Sequence, residues 1–396
     1  MQLSEKALAI SPSLTLKITA MAKDMKKRGL DVVGFGAGEP DFDTPKHIKD
    51  AAVEALKIGL TKYTPASGTV ELKKAVCADL KKHGLQYDPT QIVISNGAKH
   101  SLFNVFQAIL NPGDEVIVIT PYWLTYPELI KMADGVPVYV GAQECNNFEP
   151  LAEDIEAAVT KKTKAIIVNN PSNPCGCIYS QKTLEGIAEI AKKHDFFIVS
   201  DEIYDELVYD GNKHTSIAAL SEDAYGRTIL VNGLSKTYAM TGWRIGYTAS
   251  RADIAKIMGS YQSHATSNPC SIAQFAGIAA LTGPRDEVVA MREEFDARRK
   301  MMVDIIGKMD GVSCATPMGA FYVMLNISAL KGRKLDGAEI KGSVDFAEKL
   351  LEKKLTAVIP GAAFGADDFV RLSYAISREN IEKGLGRIAE FIAMLD

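Results

Sequence analysis

The 396-residue sequence predicts an α/β protein with a large, mostly parallel sheet flanked by helices and a smaller α+β part. Three observations carry that expectation. Between about residues 90 and 250, short Val/Ile-rich runs recur without the polar alternation of a half-exposed strand, as in strands buried on both faces of a parallel sheet. The spacers between them are long enough for crossover helices. After about residue 285 the texture changes to one long amphipathic stretch followed by strands and a closing helix.

In order, "QIVIS" (91–95) reads as the first strand, with a helical pattern from Lys99 to Leu110 stopped by "NPGD". The strands "EVIVI" (115–119), "VPVYV" (136–140), "KAIIVNN" (164–170), "FFIVS" (196–200) and "TILVN" (228–232) follow. "SQKTLEGIAEIAKKH" (180–194) is a clear amphipathic helix, with Ser180 as its cap. Beyond it, "RDEVVAMREEFDARRKMMVDIIGKM" forms a long helix, succeeded by strands "FYVMLNI" (321–327), "TAVIP" (356–360) and "FVRLSYA" (369–375). Residues 1–45 are too short to stand alone and are expected to pack with 286–396, leaving 46–285 as the large domain.

Composition narrows the function. Apolar residues make up 47% and charged residues 24%, and the net charge of −4 comes with no basic block, so no nucleic-acid footprint is present. No segment reaches the roughly 18 apolar residues of a membrane span, and a cytoplasmic location is expected. The six cysteines form no CxxC pair; Cys175 and Cys177 flank Gly176 without a second cluster, so reduced thiols are expected and no metal. HExxH and GxSxG are absent. "GFGAG" (34–38) falls short of a dinucleotide loop, because Glu39 stands where the last glycine belongs and Pro40 blocks the helix. A backbone turn beside a substrate fits it better.

Ligands of open parallel sheets bind at the carboxyl ends of the strands, so the residues after each strand matter most. After "QIVIS" come Asn96, Gly97, Ala98 and Lys99, a small-residue turn opening a helix and suited to a phosphate. "NPSNPCG" then brings Asn170 and Asn173, "FFIVS" is followed by Asp201, Glu202 and Tyr204, and "TILVN" by "GLSKTYAMTGWR" with Ser235, Lys236 and Arg244. An anion site, an amide, a carboxylate, a phenol and an amine thus converge. Pyridoxal phosphate would use every one of them. Lys236 would bond to its aldehyde, Asp201 would pair with the ring nitrogen, Tyr204 and Asn173 would meet the phenolic oxygen, and Arg244, Ser235 and residues 97–99 would hold the phosphate. Arg371, inside an apolar strand, needs a partner, either a structural ion pair or a carboxylate for which it is the fork.

These motifs, with "GAGEPDFDTP" (36–45) and "KYTPASG" (62–68), resemble class I pyridoxal-phosphate-dependent aminotransferases of fold type I, near the bacterial aspartate aminotransferases. The likeness runs from about "SPSLT" (11–15) to the C-terminus. It implies that Lys236 is the cofactor-bonded lysine and catalytic base, with Asp201 and Tyr204 on the ring and Trp123 against its face. It also implies Arg371 on the substrate α-carboxylate, with Gly38, Trp123 and Asn173 beside the substrate. Tyr63 is expected to reach the phosphate of a neighbouring subunit in a homodimer. Cys175 replaces the usual threonine, and Ala98 a common second glycine. The implied activity is transfer of an amino group, most simply from aspartate to 2-oxoglutarate by a ping-pong mechanism, with Lys99 a candidate for the distal carboxylate. Prephenate, aromatic or alanine-type substrates, or a lyase reaction on the same fold, are the competing readings.

Overall fold

The computed structural model describes residues 2–10 and 14–396, so the first three residues of "SPSLT" lie outside it. The first strand, β1 (Val33–Gly34), is short. The large sheet follows: β2 (Ile92–Ser95), β3 (Glu115–Thr120), β4 (Val136–Gly141), β5 (Thr163–Asn169), β6 (Phe197–Asp201), β7 (Thr228–Gly233) and β8 (Gly246–Ala249). Its spatial order is β2-β8-β7-β6-β5-β3-β4. Strands β3 to β7 run parallel, each returned by a crossover helix or turn, and β8 runs antiparallel between β7 and β2.

Every residue of β2, β7 and β8 is buried, which is why those runs are continuous and apolar or small. Strand β4 differs from the expectation. It is one edge of the sheet, with Val136 and Tyr139, on opposite faces, each about half exposed, so its apolar run is only partly covered. The sequence reading also passed over β8. Its four residues, Gly-Tyr-Thr-Ala, are too few and too small to stand out among the site residues before them. The helix Gln181–His194 begins as expected, with the Ser180 hydroxyl accepting from the Thr183 N–H.

The C-terminal part holds the long helix Asp286–Ile306, then β9 (Tyr322–Asn326), the small hairpin β10 (Lys334–Leu335) and β11 (Ala338–Glu339), β12 (Thr356–Ala357), β13 (Ile359–Pro360) and β14 (Phe369–Ser373). Strands β13, β14 and β9 make an antiparallel sheet in which Arg371 lies opposite Met324 and Ile359. The expected strand "TAVIP" is two short ones, β12 pairing in parallel with β1 and β13 with β14. Val33 and Phe35 share an apolar core with Phe295, Phe321, Leu350 and Phe391. No helix among the described residues is long and apolar enough to cross a membrane.

Candidate active site

The carboxyl ends of β5, β6 and β7 and the start of the helix Ala98–Ile109 open onto one cavity of about 470 Å³. Of the residues singled out in the sequence, Gly38, Ala98, Lys99, Trp123, Asn173, Asp201, Tyr204, Ser235, Lys236, Arg244 and Arg371 line it. Gly97 lies just behind, as the cap of that helix, with φ +86. A side chain there would strike the Arg244 guanidinium, since a Cβ would come within 2.4 Å of Nη2. Gly246 is as constrained, a Cβ at β8 meeting the Ala98 nitrogen at 2.2 Å. The two glycines let the turn, Arg244 and the sheet close up around a helix N-terminus whose first N–H groups have no partner within the helix. Tyr63 is 89% exposed and does not line the cavity of its own chain.

Lys236 stands three residues past β7. Its Nζ donates to the Gly38 carbonyl and lies 5.8 Å from the Tyr204 ring centre and 5.6 Å from that of Phe321. Burial lowers its pKa to about 8; Glu39 opposes that, while Arg371 and Arg244 add to it. The amine therefore exchanges its proton near neutral pH. Asp201 is buried at the end of β6, where burial raises its pKa to about 6 against hydrogen bonds from the Tyr126 hydroxyl (2.7 Å) and the Ile203 N–H. The Tyr204 hydroxyl lies 3.0 Å from that of Tyr322, and burial raises its pKa well above that of a free phenol.

Arg371 is 5% exposed, yet among the described residues it forms no ion pair with a carboxylate. Its guanidinium is 4.4 Å from the Tyr322 ring centre and 5.0 Å from that of Phe364. Nη1 donates to Asn173 Oδ1 at 3.0 Å, Nη2 to the Gly36 carbonyl, and Nε has no partner. Burial lowers its pKa. A charge so placed costs free energy unless a ligand anion completes it. Lys99 is exposed at the rim, its ammonium 4.9 Å from the Trp123 ring centre, and partial desolvation and Arg244 lower its pKa.

Three contributors were not singled out from the sequence. Tyr126 sits three residues after Trp123 with the two rings edge to face, and that spacing was its only signal. Tyr322 reads as core beside Phe321 but lines the cavity. Glu39 also lines it and accepts from the Thr241 hydroxyl at 2.7 Å.

A family model described as "Aminotransferase class I and II" matches residues 30–388. The chain belongs to that family. It is 46% identical over 393 residues to the aspartate aminotransferase of Bacillus subtilis, 99% of each chain being covered. It is 43% identical to the aspartate/prephenate aminotransferase of Cereibacter sphaeroides, again with 99% of each covered. The solved aspartate aminotransferase of Rhizobium meliloti superposes with a TM-score of 0.97 at 41% identity and full coverage of both chains. That of Thermus thermophilus with maleate superposes at 0.93 with 42% identity, covering 98% of this aminotransferase and 99% of the other. The fold is accordingly that of the fold type I aminotransferases, whose large sheet carries the cavity described above.

Proposed function

We propose that this aminotransferase uses pyridoxal phosphate to move the amino group of aspartate to 2-oxoglutarate. The observation that carries the reading is the pairing, in one cavity, of a half-buried amine whose pKa desolvation lowers to about 8 and a buried guanidinium with no carboxylate partner among the described residues. The donor set suits the cofactor. A helix N-terminus, Ser235 and Arg244 suit its phosphate, and the buried Asp201 carboxylate suits a protonated ring nitrogen. Tyr204 and Asn173 suit the phenolic oxygen and Trp123 the ring face. Once bound, the cofactor supplies an aldehyde that accepts the amino group and a ring that withdraws electron density.

The chain's own residues do the rest. Arg371 and the adjoining Asn173 would hold the α-carboxylate and fix the substrate's orientation. Lys236, whose Nζ donates to the Gly38 carbonyl, would take the α-proton at Nζ and return it on the other side of the transfer. Asp201, held by Tyr126, would keep a proton on the ring nitrogen. A first amino acid leaves as its oxo acid before a second oxo acid enters, so the kinetics would be ping-pong. Lys99 at the rim would meet a distal carboxylate, in keeping with the dicarboxylate maleate named in the Thermus thermophilus structure.

The name of the Cereibacter sphaeroides relative favours prephenate as a second acceptor to include in the assay. Tyr63 is exposed, as are Val53, Leu56, Ile58, Leu60 and Val70 close to it in sequence, which supports a homodimer with Tyr63 completing the neighbouring phosphate site. The β1–β12 pairing supports the division into residues 46–285 and residues 1–45 with 286–396. Six free thiols support a cytoplasmic location. The deciding experiment measures initial rates of purified protein across amino donors with 2-oxoglutarate. Aspartate should give the highest kcat/KM, and a neutral donor outpacing it would displace aspartate as the substrate.

A further inference from the structure

Asp201 does not stand alone at the end of β6. Four carboxylates, Asp201, Glu202, Asp205 and Glu206, crowd into six residues. Glu202 is not among the cavity-lining residues and is tied into the protein by three side chains. Its Oε1 accepts from Ser200 Oγ at 2.7 Å and from Ser216 Oγ at 2.6 Å, and its Oε2 lies 2.9 Å from His214 Nε2. The His214 and Glu202 side chains are only 5% and 4% exposed. The Glu202 N–H donates to the Val231 carbonyl, so this carboxylate is fixed between the ends of two sheet strands.

We propose that Glu202 and His214 form a charge-balanced positioning pair that keeps Asp201 ionised. This inference rests on the reading of Asp201 as the partner of the cofactor's ring nitrogen. Glu202 braces the turn through its three hydrogen bonds, but it neighbours Asp201 in the chain and its negative charge opposes a second ionised carboxylate there. A protonated His214 cancels that charge.

The surroundings agree. Burial is the largest influence on Asp201, and Glu202 adds to its upward shift while Tyr126, Ile203 N–H and Lys236 oppose it. Burial alone would lower the His214 pKa, but Glu202 first, then Asp205 and Glu206, raise it overall. Among the described residues His214 Nδ1 has no partner, which works against a second ring proton, so the carboxylates must offset that cost as well as burial. Asp205, like Asp201, is pushed up to about 6 by burial, with Glu206 adding to the shift and His214, His83 and a hydrogen bond from Asn232 opposing it. Glu206 is taken up by Arg285 at 2.9 Å, with His83 at 3.9 Å. Tyr87, Tyr238 and Tyr247 face the cluster as phenols held neutral by burial, and Asp79 acts on the last two and on Arg285. Among the described residues, His214 is the cation that touches Glu202.

The test is equilibrium binding of pyridoxamine 5′-phosphate to apoprotein between pH 5 and 9, followed by tryptophan fluorescence. This probe needs no bond to Lys236. In wild type the affinity should fall on the acid side as Asp201 and the probe's own phosphate, with a second pKa of about 6, take up protons, and Asp201→Asn should leave only the phosphate's share. His214→Asn should move the limb up by roughly one pH unit, weakening binding about tenfold within that window. The double variant Glu202→Gln/His214→Asn should bring it back near its wild-type position, because both charges are gone. Glu202→Gln alone should leave the limb near its wild-type position, because His214 gives up its proton with the carboxylate that raised it, and His214→Gln repeats the test if His214→Asn does not fold. An unmoved limb in the His214 variant, or a double variant no better than His214→Asn, overturns the pair's role. Wild type that fails to bind the probe, or an acid limb as deep in Asp201→Asn as in wild type, overturns the cofactor reading and the pair together.

Discussion

Replacing Arg371 by alanine should separate stability from activity. In the free protein this guanidinium is buried and is held by one side-chain amide, one backbone carbonyl and two ring faces, with no carboxylate. A substrate carboxylate would complete it as a charge-assisted pair out of water. Losing such a pair costs about 2–5 kcal/mol, so kcat/KM should fall roughly 30-fold to several thousand-fold. The loss should apply to aspartate and to neutral amino donors alike, because all carry the α-carboxylate. Arg371→Lys should fall between the two, keeping charge without the planar fork. Stability should move the other way. Since no ion pair is broken, a shape-filling Arg371→Met should leave the apoprotein as stable as wild type or more so in urea unfolding. Initial rates and unfolding curves on the same preparations provide the assay. Equal kcat/KM in Arg371→Ala and wild type would refute the carboxylate role. Marked destabilisation of Arg371→Met would mean that the residue is a structural anchor.

Four further outcomes are expected. Lys236→Ala should lose visible absorbance and essentially all turnover, and borohydride treatment of wild type should leave the cofactor on the peptide containing Lys236; a tag on another lysine would reassign the site. In apoprotein the Lys236 pKa is about 8 against 10.5 for the free side chain, so the unfolded chain binds more protons between those values. Wild-type stability should therefore rise relative to Lys236→Ala as pH climbs from about 8 to about 10.5, and a flat difference in urea unfolding would contradict the assigned burial of the amine. Asp201→Ala should still bind cofactor yet turn over orders of magnitude more slowly, as judged by single-turnover absorbance changes. Lys99→Ala should depress kcat/KM for aspartate relative to alanine, by about fivefold or less if the pair stays exposed; a constant ratio with both rates lowered would move Lys99 to the phosphate.

The parts legible in the sequence were those governed by local rules. Strands buried on both faces announce themselves as unbroken apolar runs, and the residues just past them had to lie on one rim, which is why Asp201, Lys236 and Asn173 could be assembled in advance. Contacts between distant elements were not legible. Tyr126 meets Asp201 across 75 positions and Tyr322 meets Tyr204 across 118, and nothing in either local stretch distinguishes these phenols from packing aromatics. The motif containing β8 was read for its cation and its lysine, and its last residues were not seen as a strand because glycine and small side chains lack the apolar signal that marks the others.

Strand β8 has a consequence for how this site can change. It runs against β7, with Gly233 opposite Gly246, so the chain that leaves the rim at residue 234 returns to it at residue 245. Lys236 and Arg244 are therefore carried by one excursion whose two ends are clamped to each other. An insertion or deletion inside it cannot be absorbed by a slack tail, and a one-residue slip in the clamp would turn every side chain of β8 to the opposite face. Lys236 and Arg244 share a single geometric constraint, and variation in this segment should proceed by side-chain replacement at fixed length. Loop-length diversity should instead collect at edge strand β4, whose margin carries none of the cavity residues.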